Sequence, residues 1–391
     1  MNSKKRVLTA FSHKEADRVP VSELYINSPV ASIVLGRTAY TGWSGYIRCE
    51  IMNSMLMQGR GEEFFLQEAI DVEELYRKLD LDTVMIERPP LKNPIIPIAL
   101  DETTWRFDNK ESGIWSIEHY DRKSDNFGVF DSNFHQSGLK EFERYVDMLD
   151  LDPIDLNDYN WSQAEYIVNK APDKFLMAVV EIDFPPMSMG AIGGLFLEAL
   201  AFAPELCERY LDYRVRKGLK FIEKYASMGV DCIFDGEDLA GNEGPMISPA
   251  MYMKFYAPRF NKLSEKCHEY GMKYLRHTDG NIMLFADEFL LESGFDGYQS
   301  IDPSAGMDAA FIKKVYGEKV LLMGNVDCGQ VLHLGTIEDV IQDTMRVIRD
   351  LSPGGGHILS SSNTIHSAVP YENFICMLET VSKHGTYPIE V

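Results

Sequence analysis

His277 and Asp279 stand two residues apart in the segment YLRHTDGNIM (274–283), where an apolar run ends in an imidazole, a carboxylate and a Gly-Asn turn. A strand delivers polar side chains to a site in this way. The same break recurs in GYQSIDP (297–303), VLLMGNVD (320–327) and HILSSSNTI (357–365). Collected at such ends are Glu181 and Asp183, Asp235, Glu237 and Asp238, His277 and Asp279, Gln299 and Asp302, Asn325 and Asp327, and Asn363 and His366. Any one of them reads as well as a cap or a supporting hydrogen bond. The group reads as a site, because carboxylates are rarely buried without a partner or a task. His277, Asp279 and Glu237 are the catalytic candidates, and Asp235, Tyr298, Gln299, Asn325, Asp327, Asn363 and His366 the candidates for holding substrate. In H-x-D, His277 is open to three readings: metal ligand, general acid or satisfied core imidazole. With Glu237 and Asp279 it offers the nitrogen and oxygen donors that zinc accepts, although no HxxxH or CxxC spacing accompanies them.

These side chains need strands that end at one face. Each polar break is followed by a helical pattern, which is the order of a (β/α)8 TIM barrel with its site at the C-terminal ends of the strands. Leu8 to Phe11 with Ala16 to Val21 reads as a short helix leading into the first strand, Thr83–Ile86 as the second, and Phe175 to Ile182 and Asp231 to Glu237 as the third and fourth. Residues 1–80 form a mostly helical N-terminal part, in which Met52, Met55, Met57 and Leu66 read as packing. Residues 92–132 alternate in the β manner, with Thr104-Trp105-Arg106-Phe107 and Ile114-Trp115-Ser116-Ile117, and read as a β-hairpin insertion after strand two that reaches over the barrel mouth. Trp105, Trp115 and Tyr298 are aromatic enough to wall a substrate or to serve as core. Ser248 with Pro249 predicts a helix start and Gly271 its end, Thr336 with Asp339 a near capping box, and Pro370 to Gly385 the last helix. No repeat or linker divides residues 1–391, so a single domain is expected.

Composition narrows the class. The chain of 391 residues is 45% hydrophobic and 25% charged, which excludes disorder, and no apolar run reaches the roughly 18 residues that span a bilayer. The N-terminus lacks the apolar segment of an export signal, and the six cysteines are scattered without a framework, so a reducing cytoplasm is expected. A formal charge of −22 repels a phosphate backbone, and nucleic acid is not an expected partner. Gly354-Gly355-Gly356 precedes a strand and reads as a turn, not a phosphate cradle, and Ser360-Ser361-Ser362 lacks the G-x-S-x-G elbow of a serine hydrolase.

Read end to end, the chain resembles the uroporphyrinogen decarboxylase superfamily. The resemblance is carried by RVLTAFSHKEADRVPV at the start, GPMISPAMYMKFYAPRF, HTDGNI, DPSAGMD, MGNVD and the closing SSSNTIHSAVPYEN. It implies a barrel with either of two reactions, porphyrinogen decarboxylation or corrinoid-dependent methyl transfer. The decarboxylases carry an arginine-rich loop after the first strand, where this chain reads SELYINSPVASIVLGR. They carry an aspartate after the second, where it reads MIERPPL, and a late histidine, where it has Asn363. The methyltransferases hold zinc through H-x-C and a later cysteine. His277 matches the first position, while Asp279 and Asn363 replace the cysteines, leaving oxygen donors that suit a site with no thiolate to bind. The resemblance therefore implies a methyltransferase that takes methyl from a small methoxylated, possibly aromatic, or methylated compound and loads a cobalt(I) corrinoid. No D-x-H-x-x-G segment occurs, so the corrinoid is expected on a partner protein, with zinc at His277, Glu237 and Asp279 as a compatible cofactor. Two alternatives remain open: a lyase for a small carboxylated substrate clamped by Arg88 and Arg276, and a non-catalytic corrinoid- or tetrapyrrole-binding barrel. Oligomeric state leaves no mark in the sequence.

Overall fold

A computed structural model describes residues 1–42, 45–123, 125–180 and 192–390. In chain order its strands are β1 (Thr83–Ile86), β2 (Ile98–Ala99), β3 (Thr104–Asp108), β4 (Trp115–Asp121), β5 (Asn126–Ser132), β6 (Phe175–Val179), β7 (Cys232–Gly236), β8 (Ala240–Gly241), β9 (Gly244–Pro245), β10 (Lys273–His277), β11 (Gly297–Gln299), β12 (Leu321–Val326) and β13 (His357–Ser361). Short apolar runs such as LLMGNV and TVMI form strands because both of their faces can be buried, and β1, β12 and β13 are buried throughout. Seven of them pair in the order β1-β6-β7-β10-β11-β12-β13, and every pairing is parallel. Amphipathic helices connect them, among them Pro204–Met228, Ala257–Glu269 and Ile337–Leu351, and Tyr371–His384 follows the last strand. The result is an α/β fold built on a curled parallel sheet.

The two edges of that sheet meet the same segment. Ser22 N donates to Leu359 O at 3.0 Å and Leu359 N to Pro20 O at 2.9 Å, while Asp82 N donates to Val21 O at 2.7 Å. Pro20 takes part through its carbonyl, which costs nothing for want of an N–H. The buried Asp82 carboxylate fixes this segment from below, accepting from Arg6 Nη1 at 2.6 Å, Arg18 Nη1 at 2.8 Å and Val21 N at 2.9 Å.

Residues 1–80 carry the helices Ser3–Phe11, Ser28–Leu35, Tyr46–Met57 and Gly61–Lys78. The insertion expected as a hairpin is a four-stranded antiparallel sheet, β2-β3-β4-β5. It has a small core of its own, in which Trp105 meets Tyr120 edge to face at 4.9 Å and Tyr46 and Cys49 pack alongside. Its β4–β5 turn returns to the parallel sheet at Asp125, which accepts from Tyr46 N at 2.8 Å and Ser367 N at 3.2 Å and bonds Asn27 Nδ2.

The predicted helix signals are seen. Ser248 accepts from Met251 N, Thr336 and Asp339 complete a reciprocal capping box, and Tyr371–His384 starts after Pro370. Two features were not signalled: π-helical turns at Tyr252–Tyr256, before Ala257–Glu269, and at Cys328–Leu332. All six cysteines are free. Among the described residues, no helix is long and apolar enough to cross a membrane.

Candidate functional site

Alternation along β10 sorts its side chains onto two faces. His277 falls in register with Gly236 of β7 on one side and Gln299 of β11 on the other. Gly236 makes the room, because a Cβ there would lie 3.2 Å from His277 Cδ2. Gln299, fully buried, uses both ends of its amide: Nε2 donates to Ser362 O at 3.2 Å, which turns Oε1 toward His277 Nδ1. His277 therefore carries its proton on Nδ1 when neutral and presents the Nε2 lone pair.

That lone pair faces two carboxylates. Nε2 lies 3.6 Å from Asp238 Oδ1 and 3.8 Å from Asp279 Oδ1, and one ligand atom from each of the three residues falls within 4.8 Å of the others. The loops that bring them together are stitched tightly. Asp279 N donates to Asp238 Oδ1 at 2.8 Å, and Leu239 N to Thr278 Oγ1 at 2.8 Å. Gly280 has φ +83, and a Cβ on it would come within 2.4 Å of Ala240 O, so only glycine lets the loop pass β8.

Asn363 Nδ2 donates to Asp279 Oδ2, while Asp279 Oδ1 is buried without a hydrogen-bond partner. Burial pushes the Asp279 carboxyl up to about 6; the neighbouring His277 and the Ser300 hydroxyl oppose the rise, and Asp238 and Asp302 add to it. A lone pair and an unpartnered carboxylate oxygen aimed at one point suit a cation there, and the nitrogen and oxygen donors are of the type zinc accepts. Asp279 also lines a cleft of about 380 Å³, together with Asp125, Asp302, Ser362, Asn363 and His366. At its rim the His366 ring stands perpendicular to that of His333, 5.2 Å away, and burial lowers the pKa of His366.

The remaining sequence candidates fall elsewhere. Asp235 lies on the other face of the sheet, where its Oδ2 accepts from Tyr274 Oη at 2.7 Å and its Oδ1 stands 3.5 Å from Arg276 Nη1. Arg276 is fully buried there, lying 5.0 Å above the Phe260 ring and donating to Glu237 O at 2.8 Å. Glu237 stays outside the trio, and burial drives its carboxyl up to about 8 against the pull of Arg276 and Arg88. Tyr298 is buried edge to face against Phe289 at 5.5 Å. Asn325 is buried and donates to Ile301 O at 2.8 Å, and Asp327 caps Gly329 N at 2.9 Å and Gln330 N at 2.8 Å. Trp105 is occupied in the insertion's core, and the Arg106 guanidinium lies 4.5 Å above the ring of Trp115. Glu181 and Asp183 lie outside the described residues.

Asp238 was one strand-end acid among several in the sequence. The missing signal was parity: once Gly236 is opposite His277, alternation puts 238 and 279 on the histidine's face and 235, 237 and 276 on the other.

Comparison with known proteins bears on this arrangement. Residues 194–384, which contain the trio and both of its supporting amides, match the family described as uroporphyrinogen decarboxylase (URO-D). No curated protein sequence matches the chain significantly. A solved methyltransferase from Methanosarcina mazei superposes with a TM-score of 0.63 at 16% identity, covering 98% of this chain and 99% of that one, which establishes a shared fold. Looser likenesses, without weight for function, are the tandem GH20 catalytic modules of the pneumococcal exo-β-D-N-acetylglucosaminidase StrH (TM-score 0.40, 15% identity, 81% and 80% covered) and a sugar phosphate isomerase/epimerase from Parabacteroides distasonis (0.35, 9%, 84% and 94%). The match to the uroporphyrinogen decarboxylase (URO-D) family thus takes in the strands and turns that carry His277, Asp279 and Asp238.

Proposed function

We propose that the protein is a cytoplasmic methyltransferase that passes a methyl group from a small methoxylated or methylated compound to the cobalt(I) corrinoid of a partner protein. The observation that carries the reading is the convergence of His277 Nε2, Asp238 and Asp279, with Asp279 Oδ1 unpartnered and Asp279 itself lining an open cleft. In the same reading residues 20–22 act as the eighth strand, closing a (β/α)8 barrel of one domain with the antiparallel insertion beside its mouth. The full-length likeness in fold to a methyltransferase supports it.

Transfer of a methyl group from oxygen or nitrogen is slow because the leaving group is poor unless it is protonated or bound to a Lewis acid. Zinc held by His277, Asp238 and Asp279 would supply that Lewis acidity. Gln299 keeps the His277 lone pair directed at the site. Asn363 occupies Asp279 Oδ2 and leaves Oδ1 turned inward, and the Asp279 N–H holds Asp238 beside it. The cleft is open enough to admit a small donor and lined with polar groups that orient it. A lyase that clamps a carboxylate between Arg88 and Arg276 is less well supported, since Arg276 is buried behind the sheet against Asp235 and Phe260.

The test is methylation of free cobalt(I) cobalamin, followed by its absorbance change, with methoxy-aromatics, methanol and methylamines as donors and with zinc added or chelated. Activity that falls at least a hundredfold in His277→Ala and Asp279→Asn is expected. A folded, zinc-treated protein that methylates the corrinoid from none of these donors, or that decarboxylates uroporphyrinogen, would overturn the proposal.

A further inference from the structure

Behind Asn363 lies a carboxyl group that the proposed chemistry does not use. Glu23, in the segment that bridges the sheet edges, has no exposed surface. Its oxygens meet one residue, Ser361 of β13: Oε1 accepts from Ser361 N at 3.1 Å and Oε2 lies 2.6 Å from Ser361 Oγ. Ser361 Oγ is also within hydrogen-bond reach of the main-chain oxygen of Asn363. A hydroxyl has a single hydrogen, and a carbonyl can only accept. With the Ser361 hydrogen directed to Asn363 O, which can only accept, the Glu23–Ser361 contact takes its hydrogen from Glu23.

We infer that Glu23 is a neutral carboxylic acid in the folded protein and a positioning residue, which through Ser361 and Asn363 holds Asp279 with Oδ1 turned toward His277. The inference deepens the site proposed above and rests on that reading for its consequence. The surroundings of Glu23 agree. Tyr76 Oη stands 3.1 Å from the main-chain oxygens of both Glu23 and Leu24 and gives its one hydrogen to that pair, and the Cys328 thiol donates to Thr364 O at 3.0 Å, so these neighbouring titratable groups do not give a hydrogen to the Glu23 carboxyl. Among the described residues, Glu23 forms no ion pair. Burial accordingly drives its carboxyl up to about 8, with the bonds from Ser361 opposing the rise. Above that pH the ionised carboxylate claims the Ser361 hydrogen, the Asn363 carbonyl loses its donor, and the amide that holds Asp279 is released.

The test uses the full chain and needs no metal for its first reading. Infrared difference spectra between wild type and Glu23→Gln should isolate a protonated-carboxyl band at neutral pH that titrates away with a midpoint near about 8. The Asn363 side-chain amide resonance, identified by its loss in Asn363→Asp, should shift in Ser361→Ala and stay in place in Glu23→Gln, because a carboxamide offers the same donor and acceptor as the neutral acid. Titration with Zn2+ alone should then show affinity about tenfold weaker in Ser361→Ala and within about twofold of wild type in Glu23→Gln, the loss typical of an outer partner of a metal ligand. An absent band, or an Asn363 resonance indifferent to Ser361→Ala, overturns the inference. If the wild type takes up no zinc while both spectroscopic results hold, the zinc site fails and the Glu23 relay stands.

Discussion

Replacing Gln299 with Leu tests whether the His277 tautomer is set by its neighbour. Leucine fills a similar volume but supplies neither of the bonds that Gln299 makes, from His277 Nδ1 and to Ser362 O. Gln299 is fully buried and the His277 side chain is 12% exposed, so water restores little at either end. Leaving a buried donor and a buried acceptor unpaired costs about 1–3 kcal/mol each before relaxation, which places the loss of stability at roughly 2–4 kcal/mol. The loss at the metal differs in kind. Without an acceptor at Nδ1 the ring no longer prefers the tautomer that leaves Nε2 bare, and removing such a partner weakens zinc about 10- to 100-fold, or roughly 1.4–2.7 kcal/mol. Gln299→Glu separates the two effects. A carboxylate still accepts from Nδ1, so zinc affinity should stay within about threefold of wild type, while its second oxygen opposes the Ser362 carbonyl and stability falls. Zinc affinity measured by competition with a chelator, alongside urea unfolding, reads both quantities. If Gln299→Leu binds zinc as wild type does, the tautomer argument is wrong. If Gln299→Glu loses zinc as completely as Leu, the amide matters for packing and not for its acceptor.

Three further outcomes follow from the same geometry. Asp235→Asn removes the charge opposite the buried Arg276 and should cost about 3–5 kcal/mol in urea unfolding with zinc stoichiometry unchanged; full stability with altered donor affinity would return Asp235 to the site. Gly280→Ala forces a side chain onto a backbone at φ +83 and against Ala240 O, so the loop that carries Asp279 should shift, with zinc uptake lost and a fall in melting temperature; a variant that melts and binds like wild type would show that the loop has room. Stability should fall as pH rises from about 5 to about 7, below the range where the depressed amines of Lys217 and Lys313 act in the opposite sense. Glu23 and Glu237 have folded pKa values near 8 and Glu87 near 7, all raised by burial above the ordinary 4.5, so the folded state binds more protons; the stability this gives is complete below about 4.5 and is lost as pH climbs through the folded values. Glu23 alone sets a ceiling of about 5 kcal/mol on that loss. A Glu23→Gln variant should flatten the profile, and a wild type that gains stability between those pH values would refute the assignment.

The parallel strands were legible because burial on both faces leaves an unbroken apolar run, which TVMI, FLMAV and LLMGNV all are. The antiparallel insertion was legible as β structure but not as four strands. Ile98–Ala99 is too short to alternate, and Asn126–Ser132 mixes glycine and polar residues with its aromatics. Glu23 was invisible as a special residue, since SELYI reads as a surface loop until Ser361, 338 positions away, closes over it. The site itself was half legible. His277, Asp279, Gln299 and Asn363, singled out at polar strand ends, do meet at one end of the sheet, yet DGED offers three acids in four positions and nothing local says which of them faces the histidine.

Register decides that, and it divides the acids into two chemistries. On the outer face Asp235 is matched by Arg276 and Tyr274 beneath the helix layer, so its charge is spent on packing. On the inner face Asp238 and Asp279 confront a histidine lone pair, with one carboxylate oxygen unpartnered and, among the described residues, no arginine paired with them. Acids at the ends of strands are common to both faces. What sets the inner three apart is that the fold brings them together and leaves their charge uncompensated, and a group held in that state needs a cation or a proton to complete it.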